Sequence, residues 1–267
     1  MYAKAIVGFD GRTGGEDAEA LATELVGSDG QVVLAQVCDE SDAFSKGAMI
    51  VRIASWSVGQ GLRDVAESQG GNLIVVGSCH RGVLERVLAG DDARSALHHA
   101  PCPVAIAPAG YAARTRSIET VGVAYDGSPE SQVAVAHAGL LAADLNAGLT
   151  ALNVVTPSVP AAGWGMAGAF FVDAESQLAE ARERLGELDG VQLEFVIGVV
   201  FEELAAFSER VDLIVCGSRH HSPAATIVLG STSDHLARHA ACPLLVTPIA
   251  DQATVARWQE RRDAAVA

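Results

Sequence analysis

The chain repeats itself, and the repeat restricts its folding choices more than any other property. Val7-Gly-Phe-Asp-Gly-Arg12 returns 116 residues later as Val123-Ala-Tyr-Asp-Gly-Ser128. Asn72-Leu-Ile-Val-Val-Gly-Ser78 returns after 140 residues as Asp212-Leu-Ile-Val-Cys-Gly-Ser218. Gly90 returns as Gly230, and Ala100-Pro-Cys-Pro103 as Ala240-Ala-Cys-Pro243, both also at 140. Four matches in one order divide the 267 residues into two related units joined near Ala109 to Arg116. The expected units are 1–112 and 117–250, followed by a charged helical tail over 251–267 with Trp258 as a candidate anchor on an otherwise solvated face. The change of offset leaves 24 extra residues in the second unit, between its first and fourth strands.

Each unit alternates strand and helix patterns. In the first, Ala5–Phe9, Gln31–Val37, Met49–Ala54, Leu73–Val76 and Pro103–Pro108 are short apolar runs of strand type. Helical spacing falls at Glu16–Val26, Leu62–Ser68 and Asp92–His99, with Gly27-Ser-Asp-Gly30 as a turn. Strands alternating with helices predict parallel sheets with helices on both faces. The fold class expected is α/β, with two tandem open parallel five-stranded sheets flanked by helices. A long pattern at Asp173–Leu188 supplies the second unit with a crossover helix, whereas the first has only Asp39–Ala48 there. The first copy thus lacks most of its second crossover helix and is expected to be flatter and more exposed at that place.

Composition removes several functions. The chain is 49% hydrophobic and 19% charged, which suits a packed core and not disorder. Its net charge of −15 repels nucleic-acid phosphates and anionic membranes, so neither is an expected partner. Only Lys4 and Lys46 are lysines, and neither ends a Walker-type loop. The start of the chain has no signal-peptide pattern, and the five cysteines lack C-x-x-C spacing, so reduced thiols and a cytoplasmic location are expected. Val154 to Val172 carries no charge over 19 residues, yet its prolines and glycines predict a loop and not a membrane helix. No G-x-S-x-G, H-E-x-x-H or G-x-G-x-x-G marks a hydrolase or dehydrogenase. His220-His221 and Cys79-His80 lack a second ligand pair at metal spacing, so no metal site is expected.

In an open parallel sheet, ligands sit beyond the carboxyl ends of the strands. Three features fall there in each unit. The first strand ends in Asp10-Gly11 or Asp126-Gly127. The fourth ends in Gly77-Ser78 or Gly217-Ser218. The last helix opens at Gly90-Asp91 or Gly230-Ser231. Glycine permits close backbone approach, and a helix N-terminus presents N–H groups to an anion. Together they outline a nucleotide cradle. The bland alternative for Asp10 and Asp126 is a side-chain bond that shapes the turn, and for Asp91 a helix N-cap.

At these residues the chain resembles the universal stress protein family in its tandem form, over about 3–108 and 118–248. Nucleotide-binding members of that family carry G-x2-G-x9-G-[ST] after the fourth strand, in an adenine-nucleotide α-hydrolase-like fold. The second copy matches at Gly217, Gly230 and Ser231, with His220 in place of the second glycine. The first matches at Gly77 and Gly90, with His80 for the second glycine and Asp91 for the serine. The resemblance implies ATP or AMP binding, with Mg²⁺ as a companion ion, at Asp126, Gly217, Arg219, His220, Gly230, Ser231 and Thr232. It implies a weaker site at Asp10, Gly77, His80 and Gly90, where a phosphate about 5 Å from Asp91 would meet roughly 3 kcal/mol of repulsion per unit charge. It also implies pairing of the units through their last strands, Val104–Pro108 and Leu244–Pro248. The loop containing Trp164, Phe170 and Phe171 is then a lid, a cover for the first unit, or a dimer contact. The expected function is a stress-response regulatory module and not an enzyme. The alternatives are a structural member that binds an unknown protein partner with both cradles degenerate, and a slow Mg²⁺-dependent ATPase.

Overall fold

The structure is a computed structural model that describes residues 2–38, 50–78, 91–115, 117–156, 176, 179–180, 182–183, 191–218, 227, 230–248 and 251–266. The first half supplies strands β1 (Lys4–Gly8), β2 (Gln31–Cys38), β3 (Ile50–Ala54), β4 (Leu73–Gly77) and β5 (Val104–Ala107). Its helices are α1 (Thr13–Val26), α2 (Val58–Gln69) and α3 (Asp91–Leu97). The second half supplies β6 (Thr120–Ala124), β7 (Gly148–Val155), β8 (Gln192–Ile197), β9 (Leu213–Gly217) and β10 (Leu244–Thr247). Its helices are α4 (Pro129–Leu145), α5 (Val200–Ser208) and α6 (Ser231–His239), and α7 (Gln252–Val266) forms the tail.

The ten strands form one sheet in the order β3-β2-β1-β4-β5-β10-β9-β6-β7-β8. Every neighbouring pair is parallel except β5 and β10, which run antiparallel with Leu245 opposite Ala105. The two expected five-stranded sheets therefore exist as halves of one sheet, joined through the last strands. All four residues of β5 and of β10 are buried, because at this junction the strand on either side completes the hydrogen-bond ladder and helices cover both faces. Each apolar core layer runs across the junction. One contains Val7, Leu21 and Leu25 with Val123, Ala138 and Leu141; the other contains Ile74 and Leu97 with Phe207, Ile214 and Leu236. The antiparallel joint also turns the halves end for end, so the carboxyl end of one lies beside the amino end of the other.

The strands next to the two sheet edges differ in burial, the first half being the more exposed as expected. β2 carries one fully buried residue, Ala35, whereas its counterpart β7 buries Leu149, Ala151, Leu152, Asn153 and Val155. Of the expected helix Asp173–Leu188, the described residues Ser176, Ala179, Glu180, Arg182 and Glu183 are helical. Asp39–Ala48, and the charge-free stretch beyond Thr156 including Trp164, lie outside the described residues. Helix α2 starts earlier than its apolar spacing indicates, because the Ser57 hydroxyl caps it by accepting from the Gln60 N–H at 3.3 Å.

The segment that leaves each last strand is tied back to the first helix of its own half. In the first half, the Asp17 carboxylate accepts from the Gly110 and Ala112 N–H groups at 2.9 and 2.8 Å, and Glu24 accepts from Ile118 N–H at 2.6 Å. In the second, buried His137 of α4 meets Asp251 at 3.1 Å through Nε2, while its Nδ1 meets the Tyr2 hydroxyl at 3.0 Å. The Asp251 carboxyl is held well below the usual carboxylate range, first by the bond to His137 and then by Thr254, against the opposing effect of burial. The tail then packs along α4. Trp258 lies on Gly139, where any side chain would run into the indole, and Arg261 pairs with Asp144 at 2.6 Å. The tail is thus docked through Trp258, and its remaining face is solvated. Among the described residues, no helix is long and apolar enough to cross a membrane.

Candidate functional site

The loop that follows β6 is built by Asp126-Gly127. Gly127 adopts φ +83°, a left-handed conformation that glycine reaches without steric cost. The Asp126 carboxylate accepts from the Ser128 N–H at 3.0 Å, and Ser128 in turn caps α4. Asp10 makes the same bond to Arg12 N–H at 3.0 Å, with Gly11 at φ +75°. Both aspartates are exposed and both shape the turn. A carboxylate engaged by one oxygen keeps lone pairs for another donor.

Gly217 ends β9 where α4 comes closest to the sheet. A Cβ there would stand 2.7 Å from the Glu130 carbonyl oxygen. At Gly77 a Cβ would overlap the Gly14 carbonyl of α1. These glycines are therefore required by the packing of helix on strand. Beyond them, Ser78 and Ser218 continue the ladder, donating N–H to Ala107 at 2.9 Å and to Thr247 at 3.0 Å. Their hydroxyls are buried and, among the described residues, meet no hydrogen-bond partner. The sequence places Ser218 in the cradle at the end of the fourth strand, but it is absent from the residues that the resemblance assigns to the nucleotide. The signal was its position directly after the strand-ending glycine, in both copies.

Helix α6 opens at Gly230, whose N–H donates to the Ser233 Oγ at 2.9 Å. The first N–H groups of a helix have no partner inside it, and they face outward with a partial positive charge. Asp126, Gly217, Ser218, Gly230 and Thr232 line one cleft of about 320 Å³, together with Glu130. Leu152, Val154, Val200 and Leu204 add apolar surface to the same lining. Ser231, at the same helix start, is exposed. Arg219 and His220 lie outside the described residues, as do His80 and Gly90 of the first copy. Asp10 and Gly77 occupy the corresponding end of the first half. Helix α3 begins at Asp91 itself, so Asp91 belongs to the first turn and is not the cap that sequence reading assigned.

Apolar surface together with backbone N–H groups and hydroxyls suits a flat ring joined to an anionic group. The described lining includes the carboxylates Asp126 and Glu130 and no lysine or arginine. Among the described residues, no three His, Cys, Asp or Glu side chains are grouped to hold a metal ion.

The family model "Universal stress protein family" matches residues 49–108 and 117–248. The chain belongs to the universal stress protein family. A universal stress protein of Mycobacterium tuberculosis (strain ATCC 25618 / H37Rv) is 29% identical over 208 residues, covering 72% of this chain and 69% of its own. A universal stress protein of Methanocaldococcus jannaschii is 31% identical over 130 residues, 45% of this chain and 76% of its own. Among solved structures, a universal stress protein from Archaeoglobus fulgidus superposes with TM-score 0.61 at 16% identity, covering 93% of this chain and 99% of that one. A Pseudomonas aeruginosa PAO1 protein described as functionally unknown reaches TM-score 0.65 at 13% identity, with 98% of each chain covered. At these identities the two structures support the fold. In universal stress protein terms, both halves carry the family's sheet, and the second presents the cleft described here.

Proposed function

We propose that the second half, 117–250, is an adenine-nucleotide-binding module of a stress-response regulator, and that it takes AMP in preference to ATP. The observation that carries the reading is the Ser218 hydroxyl. It is buried without a partner among the described residues, in a cleft that also holds the N-terminus of α6. An unpartnered buried hydroxyl costs stability, and a phosphate oxygen at the helix start would satisfy it. The adenine ring would lie on Leu152, Val154, Val200 and Leu204, with Asp126 turned to the ribose. Family membership supports the choice of an adenine nucleotide. The preference for AMP follows from charge. Asp126 and Glu130 both line the cleft, so each added phosphate raises the repulsion. Mg²⁺ would offset part of that for ATP. The first half, with Asp91 at the start of α3, is the weaker candidate.

A second reading has its own support. Gly217 is demanded by α4 and Asp126 is occupied in its turn, so both have structural roles without a ligand. Under it the protein is a partner-binding member with degenerate cradles. Calorimetric titration with AMP, ATP and Mg-ATP separates the two. The nucleotide reading expects saturable AMP binding that is lost in Gly230→Val and a weaker response to ATP. Absence of saturable binding at millimolar AMP and ATP supports the partner-binding reading.

A further inference from the structure

The start of α6 is held from outside its own half. Ile227 lies three residues before Gly230, in the connection from β9. Its carbonyl accepts from the His99 N–H at 2.9 Å, and its N–H donates to the Ala100 carbonyl at 3.1 Å. Both backbone groups of Ile227 are thus held by two consecutive residues of the other half, His99 and Ala100, which lie between α3 and β5. The Ile227 side chain is fully buried in a core layer that includes Ala96, Leu97 and Ala100 of the first half and Leu236 and Ala237 of the second. His99 adopts φ +60°, which a non-glycine residue holds only where its surroundings fix it. On the other side of the helix start, Arg94 of α3 reaches Asp234 at 3.2 Å, and Asp234 also takes Arg238 at 2.9 Å. The two contacts straddle Gly230, one before it and one after it.

We infer that the first half is a positioning element for the second cleft: His99 and Ala100 on one side, and Arg94 on the other, fix the N-terminus of α6 where the ligand's anionic group meets it. The identity of that ligand rests on the nucleotide reading above; the clamp does not. It explains why a copy with a poorer cradle remains fused to one with a better cradle. Coupling of this kind is reciprocal, so a ligand that orders the α6 start also tightens the His99 contact in the other half.

Amide hydrogen exchange on the full chain tests it, with AMP as the probe. In the wild type, saturating AMP is expected to slow exchange at the His99 amide at least threefold. Ile227→Ala is expected to remove that response and to weaken AMP binding about tenfold. Ile227→Val restores both, and His99→Gly, which keeps the backbone bonds, leaves both intact. Equal AMP affinity in wild type and Ile227→Ala, or a His99 amide that ignores bound AMP, overturns the clamp. If the wild type binds no AMP, the nucleotide reading fails and the clamp is judged without ligand. Ile227→Ala must then speed exchange at the Asp234 amide, which donates to the Gly230 carbonyl at 2.9 Å, at least tenfold while Val7 and Val75 stay protected; unchanged exchange at Asp234 overturns it. Should Ile227→Ala fail to fold, Arg94→Ala provides the same comparison on the other contact, with about a threefold faster exchange at the Asp234 amide expected and no change refuting the proposal.

Discussion

Replacing Ser218 by alanine is expected to stabilise the unliganded protein while weakening its grip on AMP. The Ser218 side chain is 2% exposed, and its hydroxyl meets no partner among the described residues. Leaving such a group buried costs about 1–3 kcal/mol, and removing it recovers most of that, less a small packing loss. A net gain of about 1 kcal/mol raises the melting temperature by roughly 2–4 °C in a protein of this size class. With ligand bound, the same hydroxyl would donate to a charged phosphate oxygen, a bond of about 1.5–3 kcal/mol, so AMP affinity falls about ten- to hundredfold. Ser78 is the internal control. It is equally buried and equally unpartnered, in the half with the weaker cradle. Ser78→Ala should give a similar thermal gain with unchanged AMP affinity. Thermal melts and calorimetric titration of both variants check this. A destabilised Ser218→Ala, an unchanged affinity, or an equal loss of affinity in Ser78→Ala would refute the reasoning.

Other outcomes follow from the packing. The Asp251 carboxyl is bonded to His137 and Thr254, and its pKa lies below the ordinary 3.8. Its contribution to stability is therefore complete above that value and is lost as pH falls below it. Asp251→Asn is expected to lower the melting temperature at pH 7 and to flatten its decline between about pH 4 and 2. Gly139→Val drives a side chain into the Trp258 indole, at a cost of about 1–3 kcal/mol. The tail should then be cut rapidly by trypsin at Arg257 or Arg261, whereas the wild type resists. Burial pushes the Cys102, Cys216 and Cys242 thiols up to about 12. A thiolate-seeking reagent at pH 8 should label none of them in the folded protein and all of them in denaturant, as peptide mapping would show.

The sheet was legible because parallel strands buried on both faces are near-continuous apolar runs, and the repeat supplied each weak run with a stronger twin. Leu73–Gly77 and Leu213–Gly217 show this most clearly. Helix starts were less so. Gly14 and Gly59 lie in the first turns of α1 and α2, where propensity argues against a helix and close packing requires the small residue. Trp258 was recognised as an anchor, but its seat on Gly139 was not, since that contact joins residues far apart in the chain. At the site, Asp126, Gly217 and Gly230 stood out through the repeated motif. The turn-shaping bond of Asp126 was foreseen as an alternative, whereas the packing of α4 that requires Gly217 became visible only with the partners in place. Ser218 was legible as part of the cradle, but its burial without a partner among the described residues is a property of the fold. The Ile227–His99 clamp left no sequence signal, because backbone groups make it.

The central claim is one nucleotide site in a chain that carries two copies of the fold. The most direct measurement is the stoichiometry of AMP on the full chain, with backbone amide shifts used to locate it. One equivalent, with shifts concentrated at Asp126, Ser218 and Ser231 to Ser233, is the predicted result. Two equivalents with matching shifts at Asp10 and Ser78, or no saturable binding, would contradict it.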